Sequence, residues 1–214
     1  MPILGIAVER KADVLSLAAF ILSFLALCTQ IGRYVIGAHI QLLPPEQVIF
    51  TKSLNSHKEE LTGFVLKLIY ANDGAEGYAG VVVKESLTVT LNHRVYSYHG
   101  LDFVDPKFSK GTLDPENGRQ DATAFVVDSG GVVSHHTRFT SNDDPGPSKS
   151  GGYLYWGALL SATKPPTTID FNVVATDSNG RSVSSRMCRI DAPTLNEELT
   201  NKGWAAFPCR EVRS

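Results

Sequence analysis

The sequence predicts an all-β, two-sheet sandwich carried behind one N-terminal transmembrane helix, and three observations predict it. Residues 14–32, VLSLAAFILSFLALCTQIG, run nineteen positions without a charge. From Gln47 onward, short segments rich in Val, Ile, Thr, Phe and Tyr alternate with clusters of Gly, Pro, Asn and Asp, the pattern of many short strands. About 170 residues follow the linker, enough for one domain with its own core.

Residues 1–13 read as a short tail, 14–40 as the anchor helix with a juxtamembrane extension, and 41–46 as a linker around Pro44-Pro45. Ten strongly apolar side chains between Val14 and Ile31 favour insertion by about 3 to 6 kcal/mol in sum. Nineteen residues of helix rise about 28 Å, close to the thickness of a hydrocarbon core. Gln30 and the hydroxyls of Ser16, Ser23 and Thr29 offset part of the gain, and the hydroxyls can bond to the helix backbone. Arg33 can snorkel to the interface, Tyr34 suits the headgroup zone, and Pro44-Pro45 mark the latest end of the helix.

No small-residue cleavage site follows the run, so it reads as an uncleaved signal-anchor, with a cleaved signal peptide as the alternative. Leu25-Ala26-Leu27-Cys28 resembles a lipoprotein box, but Leu27 stands where a small residue belongs. Arg10 and Lys11 precede the helix and only Arg33 follows closely. The expected arrangement is therefore a single-pass protein of the bacterial inner (plasma) membrane, with the C-terminal domain outside the cytoplasm. Ser16, Ala19, Ser23, Ala26 and Gln30 recur at spacings of 3, 4, 3 and 4, which puts a helix-association stripe of small or polar residues on one face.

The expected strands are Val48–Ser53, Gly63–Ala71, Gly80–Leu91, Val95–Phe103, Thr123–Val127, Val132–Thr140, Tyr153–Ala162, Thr168–Thr176 and Arg181–Ile190. Each combines β-branched or aromatic residues with flanking turn formers. Ile169, Phe171, Val173 and Ala175 alternate with polar neighbours, and Asn179-Gly180 supplies a hairpin turn. Thr194 followed by Glu197 forms a capping box for a short C-terminal helix that Gly203 ends, with Trp204 and Phe207 packing on the sandwich edge.

The hairpin in TIDFNVVATDSNGRSVSSRMCRI, residues 168–190, resembles the late strands of an immunoglobulin-like or fibronectin-like module. LKLIYANDGAEGYAGVVVKESLTVTL, residues 66–91, is similar to the strand–turn–strand of adhesion-type modules of that kind. The resemblance covers about 50 residues and implies an Ig-like sandwich. The buried Trp and inter-sheet disulfide of antibody domains are missing.

Chemistry is sparse. His135 and His136 are adjacent, and adjacent strand residues face opposite ways, so they do not share a metal. Ser134 and His136 share a face without a third partner. Asp143 and Asp144, joined by Asp105 or Asp114, form the best calcium candidate, although the spacing of a calcium loop is absent. Tyr96 with Tyr98, and Tyr153 with Tyr155, form candidate stacking faces, with Trp156 opposite the second pair. Cys188 and Cys209 are candidates for a disulfide in an oxidising compartment, and Cys28 lies in the anchor.

No nucleophile elbow, zinc spacing or phosphate loop is present, and no catalytic residue, metal or cofactor is assigned. The net charge of −2 carries no basic bias toward nucleic acid. The expected function is a non-enzymatic, membrane-tethered binding or assembly module. Its partners are the lipid bilayer and a protein, a second copy of the chain included. The alternative is a membrane-anchored enzyme whose loop-built site uses His135, His136, Asp143 and Asp144.

Overall fold

A computed structural model describes residues 12–54, 57–109, 112–114, 117–140, 153–162, 168–184, 188–191 and 195–211. Helix α1 (Ala12–Ile36) ends at Gly37, whose φ of +57° is the left-handed conformation that stops a helix. Its stretch Leu15–Gly32 has a mean hydropathy of 2.0, none of it is buried, and it is long and apolar enough to cross a membrane. Thr29 donates to the carbonyl of Ala26 at 2.7 Å, returning one hydroxyl to the helix backbone.

In chain order the first strands are β1 (Ile40–Leu43), β2 (Gln47–Leu54), β3 (Glu60–Asn72), β4 (Gly80–Leu91) and β5 (Arg94–Val104). Short strands follow: β6 (Lys107–Ser109), β7 (Thr112–Asp114), β8 (Gln120–Asp121) and β9 (Phe125–Val127). Then come β10 (Val132–Thr140), helix α2 (Trp156–Ala162), β11 (Thr168–Asp177), β12 (Ser182–Ser184) and β13 (Cys188–Asp191). Helix α3 (Leu195–Lys202), β14 (Trp204–Pro208) and β15 (Arg210–Glu211) complete the described chain.

The fold is mostly antiparallel β. Among the described residues, 13 strands form one sheet whose main path is β14-β2-β3-β10-β5-β4-β11-β13-β15, and β6 and β7 make a separate ribbon. Two sheets were expected, whereas this ladder is continuous because β5 serves both halves. Its first part pairs with β4, from Leu91↔Arg94 to Ser86↔His99. Its second part pairs with β10, from Thr140↔His99 to His136↔Val104, across a bulge between Arg138 and Phe139. Gly100 sits at the transfer, where an added Cβ would lie 2.9 Å from Thr137 Cγ2. A larger residue would wedge the strands apart there.

The two ends of the sheet are linked by the chain itself. β14 pairs with β2, the chain passes through Cys209, and β15 pairs with β13. Cys209 is disulfide-bonded to Cys188 on β13, with Cα atoms 5.2 Å apart. Inside the folded sheet, Phe50 and Phe64 meet Phe171 edge-on at 5.7 and 5.4 Å, and Phe207 and Tyr98 complete the cluster.

The helix exit is tied into the sheet. Ile40–Leu43, in the segment expected as extension and linker, pair with Asn72–Ile69 of β3. Asn72 is 1% exposed. Its Oδ1 accepts from the backbone N–H groups of His39 and Gly74, and its Nδ2 donates to the carbonyls of Tyr78 and Val127. The N–H of Ala75 also donates to the carbonyl of Gly37, at the end of α1.

Six expected strands lie within three residues of β2, β3, β4, β5, β10 and β11. Tyr153–Ala162 does not. Only Tyr155 bridges to Leu61, and Trp156–Ala162 form helix α2. Ala and Leu favour a helix in that stretch, and Trp156 and Leu159, one turn apart, are both buried. Thr123–Val127 shortens to Phe125–Val127, and Arg181–Ile190 overlaps β12 and β13, with residues 185–187 outside the described residues.

The turn before β12 uses positive φ at Gly180 alone, with Asp177 Oδ1 accepting from the N–H groups of Asn179 and Arg181. The two-residue turn with two positive φ values is instead Asn92-His93, between β4 and β5. At the C-terminus, Gly203 ends α3 at φ +70°. Thr194 of the expected capping box lies outside the described residues. Trp204 and Phe207 belong to the edge strand β14.

Candidate functional site

The strongest constellation of polar side chains sits where β4 loses its neighbour. The β4–β5 ladder stops at Ser86↔His99, and β9 takes up the same edge only at Val82↔Phe125. Between them a cleft of about 90 Å³ opens, lined by Val83, Lys84, Glu85, His99, Phe103 and Phe125 among others. One of the lining residues is Glu85, a carboxylate only 6% exposed.

Three neighbours serve that carboxylate. Tyr70 Oη donates to Glu85 Oε1 at 2.5 Å, and Thr137 Oγ1 donates to Oε2 at 2.7 Å. His135 Nε2 lies 2.9 Å from Oε1, so Nε2 carries the proton of that contact. Burial first, and the Glu85 charge second, hold the Tyr70 phenol far above its ordinary range, keeping it a donor. The His135 ring is wedged among Phe103, Phe125 and Tyr70 at centroid distances of 4.3, 4.6 and 5.7 Å.

A buried ion pair joins the neighbouring strands β5 and β10. Asp102, 1% exposed, accepts from Arg138 Nε at 2.9 Å and from Arg138 Nη2, and Arg119 Nε stands 3.1 Å from its other oxygen. Arg138 neutralises the buried charge, which gives the pair a structural role at the junction of β5 and β10.

The remaining candidates disperse. His136 is on the opposite face of β10 from His135, and burial, followed by the charge of Lys67, lowers its pKa. Ser134 is exposed. The backbone N–H of Asp105 donates to the carbonyl of Asn117, Asp114 lies on β7, and Asp143 and Asp144 lie outside the described residues. No group of three or more His, Cys, Asp or Glu is placed to hold a metal ion among the described residues.

Tyr98 is buried against Phe64 at 5.1 Å, and Tyr96 packs on the core from a half-buried position, so this pair serves packing. Tyr153 and Tyr155 touch edge-on at 6.3 Å, while Trp156 is buried at the start of α2. On α1, Ser16, Ala19, Ser23, Ala26 and Gln30 are all exposed along the helix.

Sequence reasoning found His135 but missed Glu85, Tyr70 and Thr137. They come from three strands, and only the folding of β5 from β4 to β10 brings them together. A carboxylate at an inward position of β4, between Val82 and Leu87, was the available signal.

No protein-family model matches the sequence, and no curated protein matches it. Among solved structures, a protein designated ApaA from Bordetella pertussis aligns over 74% of this chain and 98% of its own, at 11% identity and a TM-score of 0.32.

Proposed function

We propose that this chain is a non-enzymatic, membrane-tethered binding or assembly module, with an Ig-like β domain held at the outer surface of a bacterial inner membrane. The observation that carries this reading is the exposure of α1. Leu15, Phe20, Leu22 and Phe24 are 72, 68, 67 and 56% exposed, and no window of the apolar stretch is buried in the domain. At about 25 cal/mol per Å² of apolar surface, such a helix in water loses several kcal/mol that a bilayer returns.

The Cys188–Cys209 bond supports placement in an oxidising compartment. Closure of Phe50 and Phe64 on Phe171 supports two packed layers, the architectural part of the Ig-like reading. Protein partners, a second copy included, are read from the stripe on α1. Alkaline phosphatase fused after Ser214 is expected to be active in a bacterial host. Activity only from a reporter that works in the cytoplasm would reverse the orientation.

A further inference from the structure

We propose that the Glu85 cleft is a binding site for a small zwitterion, with a primary ammonium seated on Glu85 and its anionic group at Lys84. The site is independent of whether α1 crosses a membrane. Glu85 is a buried carboxylate, and both acceptor positions of Oε1 are filled by Tyr70 and His135. Oε2 accepts only from Thr137 among the described residues, so one acceptor position stays open on the carboxylate of a residue that lines the cleft. A donor placed there makes a charge-assisted bond in surroundings of low dielectric.

The walls favour a cation at depth. Phe103 and Phe125, in edge-to-face contact at 6.0 Å, line the cleft, and aromatic rings attract an ammonium group. The rim favours the opposite sign. Lys84 is exposed, and it lies close enough to His99 to help burial lower the pKa of that imidazole. A simple cation would meet Lys84, and a simple anion would meet Glu85. A molecule carrying both charges satisfies both ends.

Size narrows the class further. Drug-sized ligands occupy pockets of about 300 to 1,000 Å³, whereas this cleft holds about 90 Å³. It therefore takes a head of a few heavy atoms. A free small amino acid and a phosphoethanolamine headgroup share that chemistry.

The test is calorimetric titration of the full chain in non-ionic detergent with glycine and with phosphoethanolamine. Betaine and phosphocholine, their trimethylated counterparts without N–H groups, are titrated in parallel. Saturable binding of a primary-ammonium ligand, with its trimethylated counterpart at least about tenfold weaker, is expected. Lys84→Ala should weaken binding about tenfold, and Glu85→Gln should weaken it more.

Preference for glycine would assign a free amino acid, and preference for phosphoethanolamine a lipid headgroup. If Glu85→Gln fails to fold by circular dichroism, the surface variant Lys84→Ala and the trimethylated ligands decide. Absence of binding by both primary-ammonium ligands, equal binding of the trimethylated ones, or unchanged affinity in Lys84→Ala would overturn the proposal.

Discussion

Asn72 holds the helix exit to the sheet through four side-chain hydrogen bonds, two accepted and two donated. Truncation would leave several buried backbone groups without partners, each costing about 1 to 3 kcal/mol. Partial relaxation and entry of water recover some of this, and Asn72→Ala is expected to destabilise the detergent-solubilised chain by about 3 kcal/mol in urea denaturation. A loss below about 1 kcal/mol would mean that water replaces the amide freely.

Tyr98 makes a different residue-scale case. Its hydroxyl is buried without a hydrogen-bond partner among the described residues, and burial, followed by Tyr96, raises its pKa well above the ordinary phenol value. A folded pKa raised in this way contributes stability that is full below about pH 10 and is lost as pH rises above it, by about 1.4 kcal/mol per pH unit. Tyr98→Phe should therefore be neutral or stabilising at pH 7 and should make alkaline unfolding shallower. An unchanged alkaline slope would contradict the assigned burial.

At the scale of elements, the strands that were legible in sequence are those whose alternation survives into the fold. Ile169, Phe171, Val173 and Ala175 alternate in the sequence and are the buried positions of β11. Tyr153–Ala162 misled because its aromatic residues suggested a strand, while the burial of Trp156 and Leu159 follows a helical period. The candidate site was illegible for another reason. Register and the transfer of β5 between partners are tertiary facts, and the relation of Tyr70 to Glu85 depends on both.

The helix stripe is legible at this scale. Ser16, Ala19, Ser23, Ala26 and Gln30 lie on one face of an exposed helix, where small side chains permit close approach and Gln30 can bond across a pair. Such a bond contributes about 0.6 to 2 kcal/mol. In a membrane two-hybrid assay, replacing Ala19 and Ser23 together by Leu should weaken self-association, while Leu17→Ala should not. Equal loss from both changes, or no association of the natural segment, would reduce α1 to a plain tether.

At the scale of the whole molecule, two segments link distant parts of one sheet: β5, which pairs with both β4 and β10, and β14 running into β15, which pair with β2 and β13. The disulfide fixes the second link across a separation of 21 residues, a loop for which cross-linking contributes about 3 kcal/mol. β14 and β15 remain the two edge strands of this sheet, tied to each other by the chain through Cys209. Helix α1 is left as the large apolar surface that the domain does not cover.

The central claim is that this surface is covered by lipid. Alkaline carbonate extraction of membranes from cells expressing the full chain tests it most directly. The protein is expected to stay in the membrane pellet, and a chain lacking residues 12–36 should move to the supernatant. Release of the full chain into the supernatant would contradict the account.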